Sequence, residues 1–194
     1  MSDGASSSRR GWPMAADDPV VGEVPDVTLR PWQPDDASVV FRACQDSQIQ
    51  RFLPVPQPYT EASAREFIAV RRADWDGAEV RSFAITDAET GEVLGSIARY
   101  RRAEHRVEFG YWVAPEARGR GIATRALRLI ADWSLAAGFV RLELRTHPDN
   151  HASGRVAQRA GFTGEGVRRA WDLDRDGKPE DAVFYVLVRG DRPA

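Results

Sequence analysis

Hydrophobic and polar positions change period several times along this chain, and each change marks an element. From Asp26 the run Val27-Thr-Leu-Arg30 alternates as a short strand, and Pro31, with no N–H to give to a ladder, ends it. Residues 34–46 open with Asp35 and Asp36 and carry Val39, Val40, Phe41 and Ala43, which predicts a helix with acidic residues in its first turn. The segment from Phe52 to Tyr59 is broken by three prolines and reads as a loop. Thr60 then caps a helix in which Ala64, Phe67, Ile68 and Arg71 recur at helical spacing. Val80–Thr86 and Glu92–Tyr100 read as strands joined by the turn Asp87-Ala-Glu-Thr-Gly91.

The second half is more regular. In Val107-Glu-Phe-Gly-Tyr-Trp-Val113 the pattern puts Val107, Phe109, Tyr111 and Val113 on one face and Glu108, Gly110 and Trp112 on the other. After a loop at 114–118, Ala123, Ala126, Leu127, Ile130, Trp133 and Ala137 form one helical face, stopped by Gly138. Residues 140–146 alternate again. Strand, helix and strand in this order predict a βαβ unit with two parallel strands and a right-handed crossover. A short helix over 150–160, stopped by Gly161, precedes a hairpin of 162–171 and 182–189 turning around Asp174–Gly177. Asp172–Gly177 copies the start of a calcium loop, but the twelfth position is Val183, so the hairpin turn is preferred. Residues 1–25 are rich in Ser, Gly, Pro, Asp and Ala without a period and read as a flexible tail, which leaves one domain over 26–190.

Composition narrows the function. The net charge of -2 argues against nucleic acid as the partner. A lone cysteine, Cys44, excludes an intramolecular disulfide, and His105, His147 and His151 lack cysteine partners at zinc spacing, so no metal is expected. With no apolar run long enough for a bilayer and no apolar signal segment, no membrane is expected and the expected location is the cytoplasm. All basic residues but Lys178 are arginine, grouped at Arg99, Arg101, Arg102 and Arg106 and again at Arg118, Arg120, Arg125 and Arg128. Guanidinium suits bidentate contact with phosphate.

The most specific segment is Arg118-Gly-Arg-Gly-Ile-Ala-Thr124, between a strand and a helix, where unpaired N–H groups and the positive helix end attract anions. Gly119 and Gly121 allow positive φ and close approach, so Arg118, Gly119, Arg120, Gly121, Ile122, Ala123 and Thr124 are a candidate diphosphate cradle. A dinucleotide fingerprint would need a third glycine near Thr124, and a P-loop would need Gly-Lys-Ser/Thr; neither is present.

With Arg118, Gly121 and Ala123 in register, the segment resembles the Arg/Gln-x-x-Gly-x-Gly/Ala signature of the GNAT N-acetyltransferases. Glu108–Pro115, Asn150-x-x-Ser153, Ala160-Gly-Phe162 and Leu29–Asp36 resemble its ribosomal-protein (RimJ/RimL-like) branch. The resemblance implies an α/β (α+β) GNAT fold: a mixed, largely antiparallel sheet splayed between two central parallel strands, with helices on both faces. It implies acetyl-CoA as donor, with the pantetheine arm bonding the main chain of Trp112 and Val113 and the diphosphate on the amides of Arg118–Ala123. Arg120, Arg125 or Arg128 would meet the adenosine phosphate. Asn150 would hold pantetheine amides, and a homodimer is possible within the family.

Amide formation needs a neutral amine, a polarised thioester carbonyl and a proton for the departing thiolate. A bulge at Gly110-Tyr111 would free a main-chain donor for the carbonyl, which places Tyr111 among the catalytic candidates. Glu108 is the first candidate base, with Glu79 and His105 in reserve; its alternative is a carboxylate salt-bridged to Arg99 or Arg145. Many relatives protonate the thiolate with a tyrosine seven residues after the asparagine, here Ala157, so Ser153 is the candidate hydroxyl. Its alternative is a helix-start residue satisfying backbone groups. The acceptor expected is an α-amine of a protein or peptide. Two readings compete: a small-molecule or antibiotic amine acetyltransferase, and a catalytically silent acyl-CoA-binding module.

Overall fold

The structure of the chain, a computed structural model, describes residues 23–24, 26–77 and 79–191. Among the described residues eight strands form one sheet: β1 (Glu23–Val24), β2 (Val27–Pro31), β3 (Val80–Thr86), β4 (Val93–Ala103), β5 (Arg106–Val113), β6 (Arg141–Thr146), β7 (Thr163–Leu173) and β8 (Pro179–Val188). Their spatial order is β1-β2-β3-β4-β5-β6-β8-β7, and every neighbouring pair is antiparallel except β5–β6. The helices are α1 (Ala37–Ala43), α2 (Ser47–Phe52), α3 (Glu61–Ala73), α4 (Ile122–Ala136) and α5 (His151–Arg159).

Helices cover both faces of the sheet, as the neighbours Ser82 and Phe83 in β3 make plain, because successive strand residues point to opposite sides. Trp32 donates from Nε1 to Ser82 Oγ at 3.1 Å and packs edge-on against Phe67 of α3. Trp133 of α4 meets Phe83, on the other side, at 5.7 Å. Burial follows: Trp32, Phe83, Leu127, Ile130 and Leu142 are all closed to solvent.

Several expectations change. The tail over 1–25 lies largely outside the described residues, but Glu23 and Val24 pair with Thr28 and Val27. The helix expected over 34–46 is a 3-10 turn and α1, and a further helix, α2, follows over residues for which no element was expected. Asp46 caps it, accepting from the N–H groups of Gln48 and Ile49. The alternation expected in β5 holds, and both faces are covered: Val107 and Phe109 are buried on one side and Trp112 on the other, stacked on Trp32 at 6.4 Å. Arg99, far from any phosphate site, is buried in register with Phe109 with its guanidinium 3.9 Å from the Trp133 ring centroid.

Candidate active site

The fork in the sheet positions everything else. β5 and β6 pair only from Arg106↔Arg141 to Phe109↔Leu144, whereas β4–β5 continues to Gly95↔Val113 and β6–β8 to Thr146↔Val183. The two parallel strands therefore separate over Gly110–Val113. The bulge expected at Gly110-Tyr111 is absent: the β4–β5 register is unbroken there, and its shift lies at Arg101/Ala103. A free donor arises from strand divergence instead. Ala114 N–H donates to Leu94 O at 2.9 Å, which fixes the alternation. Residues 114, 112 and 110 turn their main-chain groups toward β4, and Val113 and Tyr111 turn theirs into the fork. Trp112 is thus committed to β4, and the main-chain groups left for a ligand are those of Tyr111 and the N–H of Val113, because the Val113 carbonyl accepts from Arg118 Nε at 3.3 Å.

At the wide end of the fork lies the glycine loop. Gly121, at φ 76°, is the N-cap of α4 and supplies no side chain to the first turn, so the N–H groups of Ile122, Ala123 and Thr124 have no intrahelical partner. Gly119 is also left-handed, at φ 77°, and a Cβ built there would meet no atom within 4 Å. This open, amide-lined helix start fits a diphosphate. Arg118 has other work: its amide donates to Pro115 O at 3.3 Å, and its guanidinium grips Asp46 at 2.6 and 3.3 Å. That ion pair and the cap amides hold the Asp46 carboxyl below its ordinary range and fasten α2 to the end of β5. The cradle accordingly starts at Gly119. Arg120 lies 3.6 Å from Asp87, and Arg125 folds back to Arg120 O at 2.9 Å; with Asp26 and Glu89 they line a pocket of about 420 Å³. Arg128 instead bonds the Arg159 carbonyl at the end of α5.

On the α4 side of the sheet, Tyr111 reaches across the fork to α5, its hydroxyl 2.9 Å from Ser153 Oγ. Burial pushes the phenol pKa up to about 12, with the Ser153 hydrogen bond acting in the opposite direction. Asn150 caps α5 by accepting the Ser153 N–H at 3.1 Å, which takes one lone pair of its oxygen and leaves its amide N–H groups for a ligand. Ser153, the candidate hydroxyl, gives its N–H to the helix start, while its Oγ is tied to a phenol 42 positions away and not to the backbone.

On the opposite side, Glu108 has one oxygen 3.0 Å from Arg102 Nε and the other 3.0 Å from Arg145 Nε. Arg145 also pairs with Asp172 of β7. The partner expected at Arg99 is replaced by Arg102, because Arg99 points to the α4 face and Arg102, next to the register shift, does not. Of the reserve bases, His105 lies in the β4–β5 turn at the far end of β5 from the fork, and the Glu79 carbonyl accepts from Arg101 N–H. His147, which follows β6, faces Glu180 Oε1 at 3.4 Å through Nε2, while its Nδ1 accepts the Asp149 N–H at 3.0 Å. Its basic lone pair is therefore spent on the backbone. Arg175, at the β7–β8 turn, donates to the carbonyls of Gln50, Leu53 and Val55 and draws the hairpin over the α2–α3 loop. Arg145 is one of the two partners expected for Glu108, whereas nothing local in the sequence announces Arg102 or Arg175, since their partners are set by strand order. Among the described residues no cluster of three His, Cys, Asp or Glu is placed to hold a metal, and no helix is long and apolar enough to cross a membrane.

Comparison with known proteins agrees with this geometry. Residues 26–163 match the acetyltransferase (GNAT) domain. The uncharacterised N-acetyltransferase YoaA of Bacillus subtilis is 26% identical over 164 residues, covering 83% of this chain and 92% of that protein. Spermidine N(1)-acetyltransferase of Escherichia coli K12 is 26% identical over 141 residues, 72% of this chain and 74% of that one. Among solved structures, Mycobacterium smegmatis RimJ in complex with CoA-disulfide superposes with a TM-score of 0.76 at 26% identity, covering 87% of this chain and 84% of that chain. A sheet forked between the one parallel strand pair among the described residues, an uncapped glycine cradle at the mouth of the fork and a family match spanning both lead to one conclusion: the chain belongs to the GNAT family of acetyltransferases, which use acetyl-CoA to acetylate an amine.

Proposed function

We propose that the acceptor is the α-amine of a protein or peptide. The observation that carries this is the state of Glu108, both of whose carboxylate oxygens are engaged by arginines. A site without a free base suits an amine of which a working fraction, about 10–20%, is already neutral near pH 7. An α-amino group, with a pKa of about 7.7–8.0, meets that condition, and a lysine ε-amine, at about 10.4, does not. Similarity to a RimJ structure supports the same reading.

In this reading the diphosphate rests on the amides of Gly119 and Ile122–Thr124. The pantetheine arm enters the fork against Val113 and the Asn150 amide, and Tyr111 N–H polarises the thioester carbonyl. The amine nitrogen attacks the carbonyl carbon, the C–S bonding pair leaves on sulfur, and the proton lost by nitrogen balances the one gained by sulfur. Ser153 lies nearest the sulfur and stabilises it. The reading includes a cytoplasmic location, with which the buried free thiol of Cys44 is compatible, and a homodimer.

A thiol-release screen with acetyl-CoA tests it, comparing peptides with free and blocked N-termini, lysine side chains, polyamines and aminoglycosides. Free N-termini should turn over fastest, with kcat/KM rising through the α-amine pKa. Preference for a polyamine or drug would replace the proposal with the small-molecule reading. Tight CoA binding without turnover of any amine would leave a binding module.

A further inference from the structure

The Tyr111–Ser153 contact joins the two sides of the fork at the place where the thioester sulfur would lie, and it has no role in the chemistry above. Three features hold Ser153 in place. Its N–H is fixed by Asn150 at 3.1 Å, and its Oγ is fixed by Tyr111 at 2.9 Å. The next residue is Gly154, where a Cβ would stand 2.5 Å from the Tyr185 hydroxyl, so only glycine lets β8 clamp this turn of α5 so closely.

In the hydroxyl pair one oxygen must donate to the other. A phenol O–H is the stronger donor and, with its lone pair drawn into the ring, the weaker acceptor; serine offers one hydrogen and two lone pairs. We propose that Tyr111 donates to Ser153 Oγ and so turns the serine's own hydrogen into the fork, making Tyr111 a positioning residue for the leaving group. This rests on the acetyltransferase reading above, in which Ser153 faces the sulfur. Without Tyr111 the serine would occupy any of three χ1 wells; with it, one well is selected before acetyl-CoA arrives. Neither hydroxyl is consumed: as the C–S bond breaks, the serine hydrogen bonds to the sulfur anion until the amine's proton arrives there. The buried phenol stays protonated throughout the working pH range, so the arrangement does not titrate away.

Tyr111→Phe keeps the ring and its packing and removes only the hydroxyl. Removing one neutral hydrogen bond should lower kcat about fivefold with KM for acetyl-CoA within about twofold. Ser153→Ala should lower kcat about tenfold, and the double variant should match Ser153→Ala, because the phenol acts only through the serine. A second readout needs no acceptor: the thiol pKa of bound CoA, followed by thiolate absorbance, should rise by about one unit in Ser153→Ala and by less, in the same direction, in Tyr111→Phe. Unchanged kcat and thiol pKa in Tyr111→Phe overturn the proposal, as does a double variant whose loss is the product of the two single losses. A higher KM at unchanged kcat would make Tyr111 a packing residue. A parent protein that fails to bind CoA at all would sink the acetyltransferase reading itself, and this role with it.

Discussion

Gly119→Ala separates binding from folding more cleanly than any other change in this protein. Gly119 sits at φ 77° with open space around a future Cβ, and Gly177, in the β7–β8 turn, sits at φ 78° with equally open space. The two alanine variants therefore incur the same backbone strain and no clash. An L-residue in the left-handed region costs about 1–2 kcal/mol, and the stiffer unfolded chain offsets about 0.4–1 kcal/mol of it. Each variant should lose about 1 kcal/mol, a fall in Tm of about 3 °C for a domain of this size. Only Gly119 belongs to the amide cradle. A hydrogen bond to a charged group is worth about 1.5–3 kcal/mol, so displacing one amide from the diphosphate should weaken CoA binding by about 10- to 100-fold. Isothermal titration of CoA into both variants, beside their melting curves, makes the comparison. Equal CoA affinities in Gly119→Ala and Gly177→Ala would remove the loop from the binding site, whatever happens to Tm.

Other expectations follow from the same contacts. Glu108→Gln weakens the pairs to Arg102 and Arg145, so it should lower Tm while leaving kcat/KM for an α-amine peptide within about tenfold; a loss of about 10²–10⁴ with a changed pH profile would restore Glu108 as the base. Asp46 has its pKa depressed by Arg118 and the α2 cap, so the stability it contributes is present above about pH 4 and lost as pH falls through its folded pKa. Asp46→Asn should flatten that acid limb in a urea-denaturation series, and an unchanged limb would show the pair contributes nothing. Tyr111, with its pKa raised to about 12, favours the folded state below pH 10 and ceases to do so between about pH 10 and 12. Tyr111→Phe should therefore lose less stability than the parent over that alkaline window, as read by circular dichroism.

Much of the fold was legible because its signals are local. The strand-loop-helix around Arg118–Thr124 follows from glycine spacing and the periodicity of α4, both readable within 20 or so residues. α2 escaped because six residues carry little periodicity, although Asp46-Ser47 is a cap signal lying in plain view. Alternation gave the two faces of β5 correctly, but not that Trp32, packed on α3, covers the face that carries Trp112.

Binary pattern, turn chemistry and the uncapped glycine helix start belong to the sequence itself: they fix which segments become strands, which strand pair must be parallel, and where a helix starts on unpaired amides. Tertiary structure alone decided what each charged and hydroxyl side chain does. Arg118 went to Asp46, 72 positions away, Glu108 was taken by Arg102 and Arg145, and Ser153 was joined to Tyr111 across the fork. The physical reason is the range of the interactions. Backbone propensity and capping act within a turn or two, whereas an ion pair or hydroxyl contact depends on which strands the topology lays side by side, and strand order is settled by burying one shared core.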